Sequence, residues 1–362
     1  METISAVVIE RNEEKNIKEC LNSIVNKVDE IIILDTGSID STLSQLEKIK
    51  TNKIHLYNYL WKDDFADARN YAWQKATQNW ILWIDADDRL NSSRDDLEKA
   101  IADRRNTEIG LVNITEKKSG HTMPTPRIVK NNFKDLCFFG IIHEEIRARK
   151  KLDLKEFNSN INFVHTGYDD NEVVARKKKR NVKLLKRMNK IEPDYQRWVY
   201  FLSRDGQGIL DPRDIIELIL KVTKNFELVD LKYNLGMIEN LISASMEVGN
   251  INMVYENIQR LAHIYPECVD AEYYMSLMEI QKNINERNVN LQKLYSFRKR
   301  MMENQNKSSL INSNGYHLDK LICFLLYDCF RYDDAKKFKE YLDKQGYPSM
   351  LSEEQLKMLS VI

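Results

Sequence analysis

Through the first half of the chain, short apolar runs alternate with segments whose apolar residues recur at helical spacing. Ile4 to Ile9 reads as a strand, Ile17 to Val25 as a helix, Glu30 to Leu34 as a strand and Ser41 to Lys50 as a helix. The alternation continues with a strand over Ile54 to Leu60, a helix over Ala66 to Ala76 and a strand over Trp80 to Ile84. This order predicts an α/β domain on a parallel, doubly wound sheet, whose ligands sit at the C-terminal strand ends. From Ile109 to Phe163 the pattern is less regular, with Gly120, Pro124, Pro126 and Gly140 punctuating further strands.

After Asp169 the texture changes to long helical periodicity, as in Ile215, Leu218, Ile219 and Val222, or Leu321, Phe324, Leu325 and Tyr327. The chain is therefore expected to divide into an α/β domain over residues 1–170 and an all-α domain over 171–362. Asp214 to Asn225 and Leu231 to Val248 read as successive antiparallel helices. A weak spacing of roughly 34 to 40 residues leaves two readings open, tetratricopeptide-like units or a plain helical bundle.

With 362 residues, 43% of them hydrophobic, each half can bury a core. Lys+Arg and Asp+Glu are both 55, a balance that gives no reason to expect a nucleic-acid partner. The five cysteines, Cys20, Cys137, Cys268, Cys323 and Cys329, form no C-x-x-C pair and read as reduced thiols of a cytoplasmic protein. Apolar runs such as Leu321 to Tyr327 fall far short of the ~20 residues of a membrane span, and Met1 leads into Ile4 to Ile9 without a basic leader. No transmembrane segment and no export signal are expected.

The sharpest chemical feature is Trp80-Ile81-Leu82-Trp83-Ile84-Asp85-Ala86-Asp87-Asp88, an apolar strand ending in three carboxylates. Like charges at a strand tip repel unless a cation joins them, and two acids one residue apart can hold a divalent ion such as Mg²⁺ or Mn²⁺ against a diphosphate. The alternative is an acidic turn capping a helix that begins near Asn91. A second strand, Ile31 to Leu34, also ends in an acid, Asp35, followed by Thr36-Gly37-Ser38-Ile39-Asp40-Ser41-Thr42. With Asp40, Ser41 or Thr42 able to cap the next helix, Asp35 is left for ligand work, such as accepting from a uracil N–H or ribose hydroxyls. The first strand runs into Glu10-Arg11-Asn12-Glu13-Glu14, so three polar strand ends converge at one sheet edge.

Asn12 to Ile17, the run from Asp35, Ala68-Arg69-Asn70 and the D-x-D at Asp85 and Asp87 together resemble the inverting family 2 glycosyltransferases of GT-A fold. The resemblance covers roughly the first 90 residues and implies a Rossmann-like nucleotide-sugar domain. It implies base and ribose contacts from Glu10 or Glu13, Asp35 and Asp85 with Ala86 beside it, diphosphate support from Arg69 and metal binding by Asp87. For Arg69 the residues alone also allow a helix-surface ion pair with Asp64 or Asp67.

Further on, Phe139-Gly140-Ile141-Ile142-His143-Glu144-Glu145 offers carboxylates for a base that takes an acceptor's proton. Either Glu144 or Glu145 can serve, and either can instead pair with Arg147 or Arg149; the family pattern places the base directly after the His, at Glu144. His165, in Val164-His165-Thr166-Gly167-Tyr168, is a candidate third metal ligand or a satisfied structural histidine. In the basic run from Arg176 to Lys190, Lys177 and Arg180 are candidates for reaching the diphosphate, the rest forming a solvated helix face.

Trp61-Lys62-Asp63-Asp64-Phe65, His143-Glu144-Glu145, His165-Thr166-Gly167-Tyr168 and Tyr265-Pro266-Glu267-Cys268-Val269-Asp270 extend the likeness, and the whole chain resembles the peptide S-glycosyltransferases that modify glycocin bacteriocins. That resemblance implies a UDP-hexose donor, UDP-glucose or UDP-N-acetylglucosamine, and transfer to a Cys, with Ser or Thr also allowed, of a precursor peptide. It leaves the helical domain, with Trp198, Tyr200, Phe201, Tyr273 and Tyr274, as a peptide groove, a homodimer interface or ordinary core. Two other functions fit the residues: a family 2 enzyme acting on a cell-surface polysaccharide or lipid-linked acceptor, and a non-catalytic helical-repeat interaction protein.

Overall fold

A computed structural model describes residues 2–166, 171–223, 231–282, 287–303 and 309–361. Gly167 and Tyr168 lie outside the described residues. The chain forms two compact units, residues 1–118 with 122–205 and residues 119–121 with 206–362.

In the first unit the order is β1 (Ile4–Glu10), α1 (Ile17–Ile24), β2 (Glu30–Asp35), α2 (Thr42–Leu46), β3 (Ile54–Asn58), α3 (Phe65–Trp73) and β4 (Trp80–Asp85). There follow β5 (Asp88–Leu90), α4 (Arg94–Ile101), β6 (Glu108–Glu116), β7 (Thr122–Lys130), β8 (Leu136–Phe139), β9 (Glu145–Ala148), β10 (Lys155–His165), α5 (Asn171–Ile191) and α6 (Gln196–Gly206). Eight strands make one sheet in the order β3-β2-β1-β4-β7-β6-β10-β5, and β8 pairs with β9 in a separate ribbon. The half sheet from β3 to β4 is parallel, as its strand-helix alternation predicts. Beyond it the sheet is mixed: β7 runs antiparallel to both β4 and β6, because the short β6–β7 connection closes a hairpin and cannot make the crossover that a parallel pair needs.

Both faces of the parallel half are buried, so its strands read as continuous apolar runs. Alternation of period two sorts them: Ala6, Val8, Ile31, Ile33, Leu82 and Ile84 pack with Ile17, Leu21 and Leu97 on one face. Val7, Ile32, Leu34, Ile81 and Trp83 pack with Ala68, Ala72 and Trp73 of α3 and Phe138 of β8 on the other. The helix α4 is started by Ser93, which makes a reciprocal capping box with Asp96. The acids at the end of β4 are therefore not its cap.

The change of sequence texture at 170 and the division between compact units at Asp205–Gly206 do not coincide. Helices α5 and α6 are helical in pattern yet pack with the sheet, through the segment between β8 and β9. Trp198 of α6 is fully buried against Gly140, where φ is 108° and an added Cβ would stand 2.5 Å from the indole. Glu192 at the end of α5 binds Arg147 at 2.7 and 2.9 Å and accepts from Trp198 Nε1 at 2.8 Å.

The second unit holds α7 (Pro212–Val222), α8 (Leu231–Glu247), α9 (Ile251–Ile264), α10 (Val269–Lys282), α11 (Arg287–Glu303), α12 (Tyr316–Asp328), α13 (Tyr332–Lys344) and α14 (Glu353–Val361). Each of these helices packs on the next, the arrangement of an all-helical stack. Cys268 and Cys323 are buried here, as Cys20 is in the first unit, and all five cysteines are free thiols. Among the described residues no helix is long and apolar enough to cross a membrane.

Gly140→Ala is expected to lose about 2–4 kcal/mol of stability, from a left-handed backbone no alanine favours and from the clash with Trp198. Denaturant unfolding of Gly140→Ala, Trp198→Ala and the double variant checks it: the two losses should be clearly less than additive.

Candidate active site

Parallel pairing sets the site. The register Glu10↔Asp35 between β1 and β2, and Ile9↔Asp85 between β1 and β4, brings three acids to one sheet edge. On the far side, β5 pairs antiparallel with the end of β10 so that His165 stands opposite Asp88. Thr166 holds the turn by donating both its N–H, at 3.0 Å, and its Oγ1, at 2.9 Å, to the Asp87 carbonyl.

Asp85 is gripped by two arginines. Arg127 of β7 makes a two-pronged contact, Nη1 at 3.2 Å and Nη2 closer, and Arg69 Nη2 donates at 3.2 Å. Arg69 also donates through Nε to Glu144, while its guanidinium lies 5.4 Å from the rings of Trp83 and Phe138. Burial alone would raise the Asp85 and Glu144 carboxyls; the guanidinium groups outweigh it, Arg127 and Arg69 for Asp85 and Arg69 for Glu144, and hold both below the usual range. Both remain anionic at neutral pH.

Asp87 lies in the opposite regime. Burial, joined by the charges of Asp85 and Asp88 and opposed by His165, pushes its carboxyl up to about 6. One donor atom each from Asp87, Asp88 and His165 falls within 4.8 Å of the others, with His165 Nδ1 2.8 Å from Asp88 and 3.7 Å from Asp87. Burial works against the charged imidazole, but the bond to Asp88 and the nearby carboxylates raise His165 net. Two carboxylates and an imidazole at this separation suit a divalent cation, which would relieve the repulsion among the acids.

At the β1–β2 corner, Asp35 is partly engaged: it accepts from Gly37 N at 3.2 Å and Ser38 N at 2.9 Å, bracing its own loop. A carboxylate has further lone pairs, so these bonds narrow its ligand capacity without ending it. Beside it, Glu10 accepts from Ser38 Oγ at 3.0 Å, and its Oε1 is buried with no hydrogen-bond partner. Burial first, and Asp35 second, push Glu10 up to about 8. Glu13 accepts from Asn16 Nδ2 at 2.8 Å and starts α1 with its carbonyl.

Of the residues singled out from the sequence, Asp85, Ala86, Asp87, His165, Arg69 and Glu144 come together, and Lys177 Nζ stands 4.0 Å from Asp87. Arg69 does not pair with Asp64 or Asp67; Asp64 caps α3, and Asp67 binds Lys62 and Tyr59. Glu145 points elsewhere, to Arg147 at 2.7 Å and Tyr195 at 3.1 Å. Arg180 donates to Asn181 and lies over Phe65.

Sequence reasoning missed three residues. Asp88 was visible as the third acid of the run. Arg127, in Pro126-Arg127-Ile128-Val129, carries the signal of a cation inside an apolar strand. Arg197 gave none: from α6 it donates to the carbonyls of His143 at 2.8 Å and Glu144 at 3.2 Å. These bonds fix a turn in which His143 has a φ of 50° and stacks at 3.9 Å on Phe201.

Residues 5–166 match the model of Glycosyl transferase family 2. Over 293 residues the chain is 29% identical to the SPbeta prophage-derived glycosyltransferase SunS of Bacillus subtilis (strain 168), a match covering 78% of this chain and 68% of that protein. It is 41% identical over 90 residues, 25% of this chain and 22% of the other, to the TPR repeat-containing protein Synpcc7942_0270 of Synechococcus elongatus. Among solved structures it is similar to S. aureus TarS 1-349, with 15% identity, a TM-score of 0.37 and coverage of 67% of this chain and 80% of that one.

Glu10 gives a pH test. Its folded carboxyl titrates near 8 against an ordinary 4.5, so between those values the folded chain holds a proton that the unfolded chain has released. Stability from this group therefore falls as pH rises through that window. Unfolding at pH 5 and pH 8 should show a loss in the wild-type chain that is smaller in Glu10→Gln; equal losses would remove the assignment.

Proposed function

We propose that this chain, which carries a family 2 glycosyltransferase domain over residues 5–166, is an inverting, metal-dependent enzyme that moves a hexose from a UDP-sugar to a cysteine of a precursor peptide in the cytoplasm. The carrying observation is the convergence of Asp85, Asp87, Asp88, His165, Arg69 and Glu144 at the C-terminal edge of the sheet. The peptide acceptor rests on the resemblance of the Trp61 to Phe65, His143 to Glu145 and His165 to Thr166 segments to peptide S-glycosyltransferases.

Asp87, Asp88 and His165 are the residues that would hold Mg²⁺ or Mn²⁺, which when bound supplies positive charge for a departing diphosphate. Asp35, Glu10 and Glu13 border the place for base and ribose, with Glu10 protonated at neutral pH and so able to donate. Asp85, fixed by Arg127 and Arg69, offers a rigid carboxylate for the donor; the buried Arg69 Nη1 has no partner among the described residues and is a donor in reserve for phosphate oxygen. Lys177 adds charge beside Asp87.

In the transfer, the acceptor sulfur forms a bond to the anomeric carbon as the bond to the diphosphate oxygen breaks on the opposite face, and the thiol proton passes to Glu144. Arg69 keeps Glu144 anionic and weakly basic. That suffices for a thiol of pKa ≈ 8.5, already part thiolate near neutrality, where a hydroxyl acceptor would need a stronger base.

Mass spectrometry of a Cys-containing glycocin-type peptide incubated with the protein, UDP-glucose or UDP-N-acetylglucosamine and Mg²⁺ or Mn²⁺ should show a sugar adduct on Cys, lost on chelation. Asp87→Ala should abolish transfer with the fold intact. Glu144→Gln should slow transfer by ~10²-fold, with donor affinity little changed. Donor hydrolysis without a peptide adduct would move the acceptor to a polysaccharide or lipid, and full activity in Asp87→Ala would sink the metal assignment.

A further inference from the structure

We infer that the helical unit holds a second metal site, a zinc-type centre whose ligands are Glu239 of α8, Cys268 and Asp270 at the start of α10, with His317 of α12 completing or bracing it. One donor atom each of Glu239, Cys268 and Asp270 lies within 4.8 Å of the others, and His317 Nε2 is 3.1 Å from Asp270 Oδ1. All four are buried, at 8%, 2%, 0% and 1% exposure in that order. This is not an acidic surface patch: thiol, imidazole and two carboxylates are the ligand types of zinc, and tetrahedral ligands about 2.0–2.3 Å from the ion need only small side-chain rotations from the present spacing.

The polar atoms independently ask for a partner. Glu239 Oε1 and His317 Nδ1 are buried without a hydrogen bond, a cost native interiors rarely leave standing. Asp270 has the surroundings of an oriented ligand: Ser309 Oγ donates to Oδ1 at 2.8 Å and Leu310 N to Oδ2 at 2.8 Å. The competing arrangement is metal-free, with Glu239 protonated, as its burial and the Asp270 charge would have it. It satisfies the charge and keeps the Asp270–His317 contact, but leaves Glu239 Oε1 and His317 Nδ1 without a partner. A cation bound here would tie α8, α10 and α12 at one point and stabilise the stack. The site is remote in chemistry from the oxygen-rich cluster of Asp87 and Asp88, and it stands or falls independently of the proposed transfer.

The test uses the full chain, stripped with chelator, reloaded with one equivalent of Zn²⁺ under excess Mg²⁺, desalted and analysed by elemental mass spectrometry, with Co²⁺ loading read by absorption. About one zinc per chain should remain, Co²⁺ should show a thiolate charge-transfer band, and zinc should raise Tm. Cys268→Ser should lose the band and weaken zinc binding at least ~10-fold, whereas Cys20→Ser and Asp87→Ala should keep both. No retained zinc, a cobalt spectrum without the band, or zinc lost in Asp87→Ala but kept in Cys268→Ser would overturn the site. Should Cys268→Ser fail to fold, the wild-type spectrum and the Asp87→Ala retention decide.

Discussion

The first unit depends on holding several carboxylates together at one sheet edge without letting their repulsion break it. Parallel strands force the crowding, because register brings the ends of β1, β2 and β4 side by side. The structure answers with two nearly buried arginines rather than with solvent: Arg127 and Arg69 converge on Asp85, and Arg69 continues to Glu144. Removing one partner of such a buried pair would strand the other, so the chain Arg127, Asp85, Arg69 and Glu144 behaves as one unit. It links β7, β4, α3 and the turn before β9, elements far apart in sequence.

That linkage explains why α5 and α6 belong with the sheet. The turn carrying Glu144 has no regular structure, and its backbone is held from outside. Arg197 donates to two of its carbonyls, Trp198 fills the space that Gly140 leaves empty, and Arg147 reaches Glu192. A carboxylate on a turn is placed to within an ångström only when the turn is itself locked.

The parallel half of the fold was legible because its strands are buried on both faces and its helices keep their period. The mixed half was not: the direction of β7 is set by a hairpin, and Pro124 and Pro126 obscure the strand. In the site, Asp85, Asp87 and His165 were visible because acids ending an apolar strand, or a histidine ending one, are locally anomalous. Arg127 and Arg197 act through tertiary contacts that no local pattern announces. Glu144 and Glu145 could be told apart only by their partners, Arg69 of α3 for Glu144 and Arg147 of β9 for Glu145.

One edge therefore contains carboxyls in opposed electrostatic regimes within a short distance. Asp85 and Glu144 are driven down by guanidinium groups, whereas Asp87 and Glu10 are driven up by burial and like charge. Environments that push the pKa values of chemically identical groups apart are how one fold assigns different roles to them. The lowered pair is committed to charge and can hold position or accept a proton transiently; the raised pair is charged only at a cost, which a cation would remove at Asp87 and a proton removes at Glu10. Arg69 stands between the regimes, since any anion that competes for it changes how strongly Glu144 is held. The basicity of Glu144 is thus coupled to whichever anion engages Arg69, a coupling that needs no moving domain and follows from one guanidinium shared by two carboxylates.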